Sequence, residues 1–299
     1  MKLHVAIDDF INYCIFEKGL SSKTVESYRN DLMIYEFFLS SKDIIDVSFI
    51  TSDMIQEFIK ERYQKSNEAT VAHNLTVLKN FHQYLVKLSI VSTDVSEYIE
   101  RPKLRKRIPQ VLSVDDIQKL FDMELNTPFD YRNKCMLEFM YGAGLRISEL
   151  ISLEITDIDI TNAVVRIMGK GSKMREVPLG QYALYYLQLY LEQRPHLLKN
   201  KRCDKLFINN HGSGITRQGF FKIFKEMLRQ NNLPEEFSPH TLRHSFATHL
   251  INRGADLRSI QEMLGHADIS TTKIYTEISD DKVMQDYMKF HPRSRREDK

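Results

Sequence analysis

The stretch Ser238-Pro-His-Thr-Leu-Arg-His-Ser-Phe-Ala-Thr-His-Leu250 says more about fold and chemistry than any other part of this 299-residue chain. Pro239 reads as the first turn of a helix, where the missing N–H costs nothing. His240 and Arg243 stand three apart and share one face of that helix. Downstream, Leu264-Gly-His-Ala-Asp-Ile-Ser-Thr-Thr-Lys-Ile-Tyr275 puts a helix-ending glycine at 265, a histidine at the turn and a tyrosine nine residues later. Arginine grips phosphate as a planar fork, histidine donates or moves a proton, and tyrosine can be a covalent nucleophile. Gathered round one phosphate, these groups suit a tyrosine that attacks a phosphodiester, which is breakage and rejoining of a DNA strand.

Upstream, the strongly apolar Tyr131–Met140 predicts a helix. It runs into Tyr141-Gly-Ala-Gly-Leu-Arg146, where two glycines permit a sharp turn and leave Arg146 at its mouth. Ala163–Met168 and Met174–Leu179 read as strands, with Gly169-Lys-Gly-Ser-Lys173 as the turn between them and Lys170 at its tip. Ser113, followed by Asp115 and Asp116, marks a helix start near the front of this region. Taken singly, these residues have ordinary readings: Arg146 in a surface ion pair, Lys170 solvated, Tyr275 half-buried in a core. His240 and His244 are four apart, as zinc ligands are. The metalloprotease pattern needs a glutamate after the first histidine, however, and Thr241 stands there.

The first hundred residues read as helices. Ser22 is placed to cap a helix whose apolar residues are Val25, Tyr28, Leu32, Tyr35 and Phe38. Val71, Leu75, Leu78, Phe81, His82 and Leu85 repeat the pattern, and both stripes read as a bundle core. The polar faces, with Lys23, Arg29, Asn74, Lys79 and His82, meet either DNA or water. Arg101-Pro-Lys-Leu-Arg-Lys-Arg-Ile-Pro109 then puts five basic residues in the seven positions 101–107, in a run punctuated by two prolines. It is a linker by composition. Its single sign points to a strap along phosphates, displacing condensed counterions, with a solvated hinge as the alternative.

Length suggests about two domains. The net charge of +2 does not by itself indicate a nucleic-acid partner. No apolar run approaches the roughly 18 residues that span a bilayer. Met1–Phe10 carries acidic residues within its apolar segment, unlike a signal peptide. Cys14, Cys135 and Cys203 are odd in number, far apart and without metal-ligand spacing, as expected of reduced, mostly buried thiols in a cytoplasmic protein. The expected fold is mainly α. An all-helical DNA-binding domain spans 1–100, a basic linker 101–111, and a mixed, mostly α catalytic domain with a small β-sheet 112–290. A disordered charged tail follows over 291–299.

Gly142-Ala-Gly-Leu-Arg146-Ile-Ser-Glu-Leu150, Gly169-Lys-Gly171, His240-Thr-Leu-Arg243-His and Leu264-Gly-His266 through Tyr275 resemble the tyrosine site-specific recombinases in residues, order and separation. The resemblance covers nearly the whole chain. Tyr275-Thr-Glu-Ile and Phe290-His-Pro-Arg293 look closest to the Xer recombinases that resolve chromosome dimers, the XerD type more than the XerC. It implies that Tyr275 is the nucleophile and that Arg146 and Arg243 hold the non-bridging oxygens of the scissile phosphate. Lys170 would protonate the leaving 5′ oxygen, His240 would assist proton movement, and His266 would hydrogen-bond the phosphate. Glu149 would support the motif. The resemblance further implies a SAM-like N-terminal domain, double-stranded DNA as substrate, and a homo- or hetero-tetramer with a related recombinase at synapsis. A DNA translocase of the FtsK kind would be a partner. A helix holding Val283, Met284, Tyr287 and Met288 would dock into a neighbouring subunit, or else pack within its own domain. No cofactor and no metal is expected: there is no phosphate-binding glycine loop and no two-metal carboxylate pattern. A phage or mobile-element integrase, a type IB topoisomerase and a DNA-binding architectural protein that does not cut are the competing readings.

Overall fold

The computed structural model describes residues 1–102, 110–169, 174–265 and 280–296. The chain divides into two compact units, Met1–Arg107 and Ile108–Lys299, each around its own apolar core. Among the described residues the first unit holds α1 (Leu3–Phe16), α2 (Ser22–Ser40), α3 (Ser52–Lys65) and α4 (Glu68–Lys87). Both expected stripes face inward, with Leu32, Tyr35, Leu75 and Phe81 fully buried. Each such side chain stabilises the fold by roughly 1.5–3 kcal/mol. The cap of α2 is Ser21 rather than Ser22: its Oγ accepts from the Thr24 N–H.

Asn74, expected on a polar face, is core, and His82, placed both in the apolar stripe and on the polar face, follows the stripe. Asn74 is buried, and its Oδ1 accepts from Arg62 Nε at 3.1 Å. His82 is buried against Phe81 and Tyr35, with its Nε2 3.3 Å from the Tyr35 hydroxyl. Burial pushes its pKa down to about 4, so the ring is neutral. Polar groups are admitted to this core because they are bonded there.

The second unit runs through α5 (Val114–Phe121), α6 (Pro128–Gly142), α7 (Ile147–Ser152), β1 (Ile158–Asp159), β2 (Val164–Met168), β3 (Met174–Pro178), α8 (Gln181–Leu198), α9 (Arg217–Gln230), α10 (Pro239–Asn252), α11 (Leu257–Leu264) and α12 (Asp280–Phe290). Ser113 caps α5 in a reciprocal box with Asp116. Helix α6, buried throughout Cys135–Gly142, is the central post and packs against α8 and α10. The strands form an antiparallel sheet in the order β1-β2-β3, with Val165 opposite Val177 and Met168 opposite Met174. The two-residue β1, too short to show a period of two, was not foreseen. The hairpin tip, 170–173, lies outside the described residues.

The expectation of a disordered tail is corrected over 291–296. Arg293 is buried and bonds Glu138 through Nε at 2.7 Å and Nη2 at 2.5 Å. Its guanidinium lies over the rings of Phe121 and Tyr182. The Gln181 N–H donates to the Ser294 carbonyl at 3.0 Å. Gly180 is needed here, since a Cβ on it would sit 2.3 Å from the Arg293 carbonyl oxygen. The charges suggested solvation, yet Arg293 has its partner inside, while Arg295 and Arg296 are exposed. Helix α12 makes contacts within its own unit, with α11 and β3. Val283 and Tyr287 are buried, and Ser259 Oγ donates to Asp286 at 2.6 Å.

Candidate active site

Gly144, at φ +57°, turns the chain between α6 and α7; a Cβ there would lie 2.6 Å from the Phe246 ring. Arg146 follows as the residue that opens α7, and the Glu149 carboxylate reaches back to its N–H at 2.7 Å. Arg243 comes from α10, whose first turn starts at Pro239 as expected. Gly265 ends α11 at φ +60°, also as expected.

These elements converge on one carboxylate. Glu149 accepts from Arg146 Nη1 at 2.8 Å and from both terminal nitrogens of Arg175 at 3.0 and 3.1 Å. Arg243 Nη1 stands 3.7 Å away. The same three guanidiniums take three successive carbonyls at the end of α11: Arg175 Nε bonds Met263 at 3.0 Å, Arg243 Nη2 bonds Leu264 at 2.5 Å, and Arg146 Nη2 bonds Gly265 at 3.4 Å. Helix C-terminal carbonyls lack intrahelical partners and carry partial negative charge, so cations suit them. Three guanidiniums against one carboxylate leave a surplus of two positive charges.

Electrostatics follow from the crowding. Burial pushes the Glu149 carboxyl upward, but its bonds from Arg175 and Arg146 outweigh that and hold it below its ordinary value. Burial, then Arg146, lowers Arg243 to about 10, leaving it charged at neutral pH. His240 is exposed at the start of α10. Partial burial, then the positive field of Arg217, Arg243 and Arg146, lowers its pKa. The shift favours the neutral ring, the form that can accept a proton. Arg146 and Arg243 are brought together with His240 beside them, while Lys170, His266 and Tyr275 lie outside the described residues. Arg175 was missed: it lies in no motif, and nothing local marks a strand arginine as facing inward. Among the described residues no group of three or more His, Cys, Asp or Glu side chains is placed to hold a metal ion, and no helix is long and apolar enough to cross a membrane.

A model for the phage integrase family matches residues 110–282, and one for the phage integrase N-terminal SAM-like domain matches residues 7–88. The chain belongs to the phage integrase family. It is 43% identical to tyrosine recombinase XerD of Oceanobacillus iheyensis, over 98% of this chain and 100% of that protein. Tyrosine recombinase XerD of Staphylococcus aureus is 39% identical over 98% and 100%. Among solved structures, XerH site-specific recombinase bound to its difH substrate in a pre-cleavage complex has a TM-score of 0.66 at 26% identity, covering 82% of this chain and 74% of that one. The Tn1549 transposon integrase, at 18% identity, shares the fold with a TM-score of 0.71 over 95% and 98%. This member of the integrase family is a DNA strand-transferring recombinase.

Proposed function

We propose that the chain is a Xer-type recombinase that resolves chromosome dimers through a 3′-phosphotyrosyl intermediate formed on Tyr275. The observation that carries this reading is the arginine cluster on Glu149, which is preorganised and holds more positive charge than it neutralises. A scissile phosphate needs that surplus. A free tyrosine has a pKa near 10, so only about a thousandth is phenolate at neutral pH, a deficit of roughly 4 kcal/mol. Cations at the phosphate favour the phenolate and the pentavalent transition state together.

In the step itself, Tyr275 Oη bonds to phosphorus and the bond from phosphorus to the 5′ oxygen breaks. Arg146 and Arg243 hold the non-bridging oxygens, and His266 hydrogen-bonds the phosphate. His240 takes the phenolic proton, and Lys170 gives one to the departing 5′ oxygen. The phosphodiester bond energy is kept, so a 5′-hydroxyl from another strand reverses the step without ATP. The basic run at 101–107 lies along phosphates, and a tetramer with a second copy or a related recombinase forms at synapsis. A DNA translocase of the FtsK kind is the partner that would bring two sites together in the cytoplasm. The sibling XerD proteins, aligned from end to end, support this role over that of a mobile-element integrase.

The test incubates the wild type and Tyr275→Phe with a nicked suicide duplex carrying a chromosomal recombination site, without metal. A denaturation-resistant protein–DNA adduct is expected in the wild type alone. An adduct in both would remove Tyr275 from the role. Tight, salt-sensitive binding with no adduct, even with a partner recombinase added, would leave a protein that only binds.

A further inference from the structure

Of the three guanidiniums at Glu149, two come from the motifs quoted above and one lies outside them. Arg175 stands in β3, five residues after Lys170. Its fork occupies both carboxylate oxygens of Glu149, and its Nε occupies the Met263 carbonyl. Its side chain is 14% exposed, against 38% for Arg146. It also closes over Gly265: a Cβ there would lie 2.9 Å from Arg175 Nη1. Three of its five N–H groups, one on each nitrogen, are therefore taken by protein acceptors. It spends its fork on the carboxylate that would otherwise neutralise its two neighbours.

We propose that Arg175 is a positioning residue of the recombination site. It saturates Glu149 so that Arg146 and Arg243 keep their surplus charge for phosphate, and it ties the strand after Lys170 to the helix end that leads into His266 and Tyr275. The proposal rests on the roles given above to those residues. Arginine is required because it makes two parallel bonds to a carboxylate and a third to a carbonyl from one planar group. A lysine is a single point charge and cannot span all three acceptors. Without Arg175, Glu149 is free to pair with Arg146 and Arg243 alone, and the surplus falls from two charges to one.

Two measurements on Arg175→Lys and Arg175→Ala test this. The first is the single-turnover rate of adduct formation at saturating DNA, beside the DNA dissociation constant. The second is amide hydrogen exchange over residues 144–149 and 257–265 in the DNA-free protein. In Arg175→Lys the adduct is expected to form at least about tenfold slower with DNA affinity within about threefold, since misplacement costs rate more than binding. Exchange in both segments should rise about tenfold. Added guanidinium should restore Arg175→Ala by several-fold and leave Arg175→Lys unchanged. Wild-type rate in Arg175→Lys overturns the proposal, whatever the exchange does, because Arg175 would then be structural only. A rate loss that merely follows lost DNA affinity overturns it too. A wild type that forms no adduct counts against the functional reading; exchange then decides the tie by itself, with unchanged protection in Arg175→Lys sinking it.

Discussion

At Gly265 backbone and site chemistry meet in a single atom's worth of space. Its φ of +60° costs a residue with a Cβ about 1–2 kcal/mol. The added carbon would also meet Arg175. Gly265→Ala is expected to lose roughly 1–3 kcal/mol in urea unfolding, and to slow adduct formation because the displaced fork releases Glu149. Arg243→Lys keeps the charge but loses the fork that bonds Gly144 and Leu264. Its adduct rate should fall about a hundredfold or more, as for other lost transition-state donors. Glu149 gives a pH signature. Its folded pKa is depressed, so its contribution to stability is present above about 4.5 and is lost as pH falls through the lower folded value. The unfolding free energies of wild type and Glu149→Gln should accordingly converge on acidification below pH 4.5. At this scale the sequence was legible where the signal was local: Pro239 at a first turn, Gly265 after Leu264, Ser113 before two aspartates. It was not legible for Arg175, whose partners Glu149 and Met263 are 26 and 88 residues away.

Among the elements, the segment after α12 behaves as a clasp on α6. Arg293 and Glu138 form a buried pair, and breaking such a pair by removing one partner costs about 3–5 kcal/mol. Lys134 Nζ, 3.7 Å from Glu138, compensates in part. Its own ammonium is lowered to about 8, chiefly by burial. Arg293→Met is therefore expected near the low end of that range in urea unfolding. Adding Glu138→Leu should recover most of the loss, since apolar groups of similar volume often replace buried pairs at no net cost. Composition misled here for a physical reason. Charge implies solvation only when no partner is inside, and Glu138 is buried on α6. Asn74 misled in the same way: helical spacing fixes a face, but not what the neighbouring helix offers it.

Across the whole molecule, two separate cores predict two unfolding units, and acid should weaken both. His82 in the first unit and His291 in the second are held neutral by burial, at about 4 and about 3 against an ordinary 6.5. Unfolded chains bind those protons below 6.5 and folded ones do not. Each histidine thus contributes stability that is intact above pH 6.5 and declines toward the folded value, by at most about 1.4 kcal/mol per pH unit. Unfolding at pH 7, 6 and 5 should show the decline, and His82→Phe with His291→Phe should flatten it. DNA binding should be steeply salt-dependent despite the net charge of +2. Replacing Arg105, Lys106 and Arg107, which lie outside the described residues, by Gln should reduce the log–log slope by about two to three, near 0.9 per lost phosphate contact.

The clasp also has a consequence in time. Glu138 and Arg293 are 155 residues apart in sequence, so at roughly 5–20 residues per second a ribosome supplies the arginine roughly 8–30 s after the glutamate. The first unit has all its core residues long before then and can fold while translation continues. The second must wait, with the acidic side chain in its central helix backed only by Lys134, until the ribosome delivers the arginine that closes it.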